Sequence, residues 1–380
     1  MTPHVLVTAG AEKQALAAVR SLGRAGMGVD VLDSKPDAPA FRSKYCRAHF
    51  TAPSNQDRDA YAEFLLRRVR AGGYTTVLPC DDISAGILST ERAQFAPYTT
   101  LLLPSVEDFR IATDKTELVR FALAHGLPAP RTRFPEDRAA AQRAAQELGL
   151  PLIIKGAHGW GAQHVRLVRV AGEFDAAYDA VAGLEKPYGG ALPMLQQFVA
   201  GTGYGYSALC RGGEPRAVFL HRRRAEFDFA SGVAPYSCPM AESVVDPELE
   251  KLGSRLFSAL RWEGLGMAEW RRETRTGHYY LMEINPRLVG STDLAVQSGV
   301  DLPRLAALLA RDGDLDPVRG YRAGVRVRWN LPDGLLDVLA RPGRLLEPAF
   351  WSARTDWSWR DPAPHWMQLR RAAWALRQGH

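Results

Sequence analysis

The chain has 380 residues, of which 46% are hydrophobic and 24% charged, and its formal net charge at pH 7 is +6. That length supports two or three domains with a substantial core, and that composition excludes wholesale disorder. The modest, dispersed positive charge suits an anionic ligand such as a nucleotide and is too weak for a nucleic-acid binder.

Cys46, Cys80, Cys210 and Cys238 are scattered without CxxC spacing, which reads as reduced thiols rather than a zinc site. No apolar run approaches bilayer-spanning length and the first ten residues lack a signal-peptide layout, so a cytoplasmic protein is expected. Only seven residues are lysine. A lysine standing where chemistry needs one therefore carries extra weight.

In chain order, residues 4–8 (HVLVT) form a short apolar strand, and 12–25 carry helical periodicity through Leu16, Val19 and Leu22, closed by Gly26. Strands at 29–32, 75–79 and 100–103 alternate with helices at 59–71 and after Asp82. This alternation predicts a parallel sheet with helices on both faces. No GxGxxG follows the first strand, so a dinucleotide fingerprint is missing. Pro104 and Ser105 mark a boundary. Beyond it come a helix carrying Asp114 and Lys115, a Pro-punctuated linker at 128–135, a helix at 138–148, a buried strand at 152–155 and a glycine-bearing loop at 156–161. A strand at 165–170 follows. From about 193, alternation and turns predict an antiparallel sheet with strands at 195–199, 206–210, 217–221, 265–271 and 278–284 and a helix at 247–260. The segment from 312 holds six of the nine Trp: Trp329, Trp351, Trp357, Trp359, Trp366 and Trp374. It reads as a helical tail packed on the body, and Arg370, Arg371 and Arg377 beside its aromatics would allow a weak membrane-surface contact.

The chemistry gathers at 264–290. Two apolar strands flank the turn 273–277, and a turn centred near Thr276 puts Glu269 across from Glu283, with Asn285 on the same face. Carboxylates about 5 Å apart repel by roughly 3 kcal/mol at an effective dielectric near 20. Two carboxylates and an amide are hard oxygen ligands that suit Mg²⁺, with Mn²⁺ as a substitute. Arg287, next to Pro286, can reach a phosphate from the strand end.

The run EINPR at 283–287, with a Glu on the preceding strand, resembles the metal-binding end of ATP-grasp ligases, and the resemblance extends from the N-terminus to about residue 312. It implies an α/β protein in four parts. These are a parallel-sheet, Rossmann-like domain (1–104), a small α/β lid (105–192), an antiparallel-sheet subdomain with the metal site (193–311) and a Trp-rich helical extension (312–380). It further implies ATP as ligand, with Mg²⁺ held by Glu269, Glu283 and Asn285. Lys115 and Lys155 would neutralise its phosphates beside the loop bearing Gly159 and Gly161. Gln196, Gln197, Phe198 and Val199 resemble the hinge strand whose backbone meets adenine. The acidic residue that many relatives then offer the ribose has no counterpart in GTGYG at 201–205. Arg287 and an arginine of HRRR at 221–224, Arg222 first, are expected at the reacting phosphate.

The implied reaction is phosphorylation of a small or sugar-linked carboxylate to an acyl phosphate, then attack by an amine with release of ADP and phosphate. Capture by a different nucleophile, kinase activity and a non-catalytic nucleotide-binding regulator are the alternatives. A homodimer is compatible with all of them. Residues 10–13 and the pair Asp81 and Asp82 are candidates for the carboxylate pocket.

Overall fold

The computed structural model describes residues 2–159, 164–226 and 238–378. Its first sheet is parallel: β1 (His4–Val7), β2 (Gly28–Asp33), β3 (Ala48–Thr51) and β4 (Thr76–Leu78), in the order β3-β2-β1-β4. Strand alternation divides its side chains between two cores. Val5, Val7, Val29 and Val31 meet Val19 and Leu22 of the helix Lys13–Arg24. Leu6 and Leu32 meet Tyr61, Leu65 and Val69 of the helix Arg58–Gly72 on the other face. The expected strand at 100–103 reduces to one bridge between Thr100 and Thr76. There the chain turns its backbone toward Gly264, where a Cβ would stand 1.9 Å from the Leu102 carbonyl oxygen and φ is +82°. Only glycine fits that crossing between lobes.

The second sheet comprises β5 (Thr132–Arg133), β6 (Leu152–Lys155), β7 (Val165–Val168) and β8 (Met194–Gln197), in the order β5-β8-β6-β7. Ala141, Leu148, Tyr178 and Val181 of two helices, Arg138–Leu148 and Phe174–Glu185, back it. This corrects the reading of 195–199 as the first strand of the larger sheet. Gln196 pairs with Ile153 on one side and Thr132 on the other. Met194 and Leu195 are buried within this lobe, and the chain leaves it only through 198–200.

The third sheet holds β9 (Gly201–Arg211), β10 (Glu214–Ala225), β11 (Met240–Ser243), β12 (Gly264–Glu273), β13 (Tyr279–Asn285), β14 (Arg326–Arg328) and β15 (Arg354–Thr355). Its order is β13-β12-β9-β10-β11-β14-β15. Leu209, Phe219 and Leu265 pack with the helix Leu302–Asp312 and the first domain, and Tyr206, Leu220 and Trp270 with the helix Pro247–Ala259 on the opposite face. The segment after 312 is therefore more than a helical tail, because it adds β14 and β15 to this sheet. Trp329 is buried, whereas Trp351, Trp359 and Trp366 are exposed. The tail is fastened to the first domain by a buried ion pair, Arg20 Nε to Asp361 Oδ2 at 2.9 Å. Among the described residues no helix is long and apolar enough to cross a membrane.

Candidate active site

The register of the β12–β13 hairpin pairs Glu269 with Glu283. Asn285 Nδ2 donates to Glu283 Oε1 at 3.3 Å, and Asn285 Oδ1 accepts from Arg287 Nη2 at 3.2 Å. Arg287 is held in turn by Asp82, through Nε at 2.7 Å and Nη2 at 3.0 Å. Burial pushes the Glu269 carboxyl up to about 7, with Arg223 pulling against it and Glu283 adding to it.

Arg222 does not share this face. It binds Glu242 at 2.6 Å on the far side of the sheet, together with Arg326 at 2.9 Å. The arginine at the carboxylates is Arg223, with Nη2 2.6 Å from Glu269 Oε2. Register is the reason. Glu269 pairs with Gly205, which pairs with His221, so the odd-numbered residues of β10 share the Glu269 face. The glycines of β9 make room for them: a Cβ on Gly205 would lie 2.1 Å from His221 Cε1, and one on Gly203 2.9 Å from Arg223 Cδ. Burial and the Arg223 charge push the His221 imidazole down to about 3, leaving it neutral.

Opposite the hairpin stands the small sheet. Lys155, the last residue of β6, is buried and donates from Nζ to the Met282 carbonyl at 3.0 Å, tying the two sheets together. Burial, reinforced by Lys115, lowers its ammonium to about 8. Asp114 caps the helix Lys115–Ala124 by accepting from Thr116 N and Glu117 N, which fixes Lys115 at the first helical position. From there Lys115 Nζ reaches the carbonyls of His158, at 3.3 Å, and Gly159. Gly159 therefore borders the site; Gly161 and Trp160 lie outside the described residues.

Two cavities result. A slot of about 100 Å³ between the sheets is lined by Ile153, Lys155, Gln196, Gln197, Phe198 and Val199. A larger cavity of about 420 Å³ continues toward Lys13, Asp82, Arg287 and Trp329. Lys115, His158, Gly159, Arg223, Glu269 and Glu283 line both and form the neck, with Lys155 on the slot side and Arg287 on the side of the larger cavity.

Residues 195–331 match the family described as "ATP-grasp in the biosynthetic pathway with Ter operon". A D-alanine--D-alanine ligase of Acidovorax ebreus is 26% identical over 75% of this chain and 86% of its own length. One of Herminiimonas arsenicoxydans is 28% identical over 50% of this chain and 58% of its own, so the chain spans little more than half of that relative. The biotin carboxylase of Campylobacter jejuni in complex with β-γ-ATP superposes with a TM-score of 0.70 at 18% identity, over 85% of this chain and 74% of that one. N5-carboxyaminoimidazole synthetase of Staphylococcus aureus gives 0.62 at 14%, over 80% and 77%. The matched segment is an ATP-grasp one, and the chain resembles ATP-grasp ligases beyond it. At these identities the likeness to solved structures establishes the fold.

The donor set of this site fits a magnesium nucleotide. Burial raises the Glu269 carboxyl to about 7 and lowers the Lys155 ammonium to about 8, so a bound cation at the one and a bound anion at the other would each offset desolvation. Among the described residues no three His, Cys, Asp or Glu side chains gather as a metal cluster. The available set is Glu269, Glu283 and the Asn285 amide. Sequence reasoning missed Arg223, whose signal was the alternate glycines at 201, 203 and 205 on the Glu269 face. It also missed Trp329, which lines the larger cavity beside Lys13, and the Asp333 carboxylate 2.5 Å from that lysine. Asp81 serves as a helix cap, accepting from Ser84 N at 2.6 Å.

Proposed function

We propose that the protein is an ATP-dependent carboxylate–amine ligase. The observation that carries this reading is the neck, where Lys115, Arg223 and a carboxylate pair separate a narrow slot floored by Lys155 from a roomier cavity. Adenine would occupy the slot beside the backbone of 196–199, with Lys115 and Lys155 on the phosphates. Glu269, Glu283 and Asn285 would hold Mg²⁺, which supplies charge neutralisation and in-line alignment at the transferring phosphoryl group. Arg223 and Arg287 bring fixed guanidinium donors to the side where the acceptor carboxylate would lie. Asp82 and Asn285 keep Arg287 in one orientation, so its charge needs no reorganisation during reaction. Phosphorylation replaces an oxide leaving group with phosphate, and an amine in the larger cavity then displaces it, closing an amide. No nucleophilic side chain is needed. The ligase names of the curated relatives support this chemistry, and a division into parts belongs to the same proposal, with β8 in the lid and β14 and β15 in the large sheet.

The test is release of ADP and phosphate across a panel of carboxylic acids, with and without amines. Turnover that needs both an acid and an amine supports ligation. Turnover with an acid alone points to a different acceptor, and binding without turnover to a regulator. Exposed Trp351, Trp359 and Trp366 support the surface contact proposed for the tail. Co-sedimentation with anionic vesicles, compared with a Trp359→Ser/Trp366→Ser variant, tests it.

A further inference from the structure

The loop after β6 is anchored by a group that the proposed reaction does not use. Glu185, the last residue of its helix, has no exposed side-chain surface, yet it holds two imidazoles. His158 Nδ1 lies 2.8 Å from Oε2 and His164 Nδ1 2.6 Å from Oε1, while the His158 backbone N–H donates to Oε1 at 3.3 Å. The loop glycines follow from this cluster. A Cβ on Gly156 would lie 2.1 Å from Glu185 Oε1, and one on Gly159, at φ +85°, 2.6 Å from His164 Cδ2. Tyr188 stacks on the His158 ring at 4.9 Å and 11°.

A carboxylate accepts and cannot donate, so Nδ1 of His158 carries the hydrogen. The carboxylate also sits at the negative end of a helix, where a neighbouring cation is favoured. Burial would raise the Glu185 carboxyl, but the two imidazole hydrogen bonds outweigh it and hold the group below its ordinary value. Of the two rings, His164 is buried and His158 is about one-third exposed, so His158 is the one that can present its outer edge to a ligand. Nε2 of His158 is on the far side of the ring from its anchor and has no partner among the described residues. This ring lines both cavities, at the neck.

We infer that His158 is a phosphate-contacting residue, its Nε2–H donating to the terminal phosphoryl group of a bound nucleoside triphosphate, and that Glu185 is the residue that positions it. The inference rests on the proposed nucleotide reading of the slot. Lysines and backbone would secure the inner phosphates, whereas His158 responds to the outermost one. It therefore supplies discrimination between triphosphate and diphosphate.

Isothermal titration of the full-length protein with Mg²⁺–ADP and with the β,γ-imido analogue of Mg²⁺–ATP separates the possibilities. His158→Ala is expected to weaken the analogue about tenfold and ADP less than twofold, the loss of one charge-assisted hydrogen bond. His158→Gln, which retains an N–H donor, restores part of the difference. Glu185→Gln, with its fold checked by circular dichroism, shifts the ratio in the same direction by a smaller factor. General loosening of the loop would weaken both nucleotides together, so equal losses, or none, in His158→Ala overturn the inference. A normal ratio in a folded Glu185→Gln overturns the positioning role. Failure of the wild type to bind either nucleotide instead overturns the reading of the slot, and this inference falls with it.

Discussion

Replacing Lys155 with methionine removes a charge from the floor of the slot while keeping most of the side chain's length. An ammonium brought from its ordinary 10.5 to about 8 costs the folded protein about 3 kcal/mol at neutral pH. Its hydrogen bond to the Met282 carbonyl returns about 1 kcal/mol. The nucleotide-free variant is therefore expected to be about 2 kcal/mol more stable than the wild type at pH 7. The sign follows from proton linkage. Below pH 8 the lysine is charged in both states and the penalty is complete. Between pH 8 and 10.5 the unfolded chain holds the proton that the folded one has lost, so the wild type gains stability as pH rises. By pH 9.5 it recovers about 2 kcal/mol and the two proteins converge. Urea unfolding of both, without nucleotide, at pH 7 and pH 9.5 measures this, and titration with Mg²⁺–ADP should show at least a tenfold loss of affinity. A variant less stable at both pH values by the same amount would refute the picture of a desolvated ammonium. Unchanged ADP affinity would refute its phosphate role.

Glu283→Gln and Glu269→Gln should each lower kcat by about two orders of magnitude and flatten its dependence on Mg²⁺ concentration, with chelation by EDTA abolishing wild-type turnover. Arg223→Ala should lose activity on a similar scale, while Arg222→Ala, on the far face with Glu242, stays within about threefold; steady-state kinetics on the two variants decides between the faces. Asp361→Ala leaves Arg20 buried beside a lost partner and should cost about 3–5 kcal/mol in urea unfolding. Burial alone would raise the Asp361 carboxyl, but Arg20, the Lys44 N–H and Ser43 hold it below its ordinary value. Its contribution should therefore be present at neutral pH and fade as acid protonates it.

The opposition of Glu269 and Glu283 was legible because a tight hairpin and strict alternation leave few registers once the turn is located. Lys155 was legible as the one cation closing a run of apolar residues. The choice between Arg222 and Arg223 was not, since alternation sorts side chains into two sets without saying which set faces inward. That depends on β9, which lies between β10 and β12 and carries the glycines that let Arg223 lean across. Strand β8 was assigned to the wrong sheet because its apolar pattern suits either. Its partners, β5 and β6, pair with it across 39 to 64 residues of chain. The cluster of Glu185, His158 and His164 spans 27 positions and left no local pattern at all. The strands after residue 312 were hidden by their brevity, with three and two residues.

The joint between Arg20 and Asp361 links positions 341 residues apart. On a translating ribosome the opening lobe is extruded long before its counter-charge exists, so its first helix waits with a guanidinium that only water can solvate. The stretch that supplies Asp361 also brings Trp329 to the wall of the larger cavity. Vectorial synthesis therefore completes that cavity's wall only after most of the chain has been made.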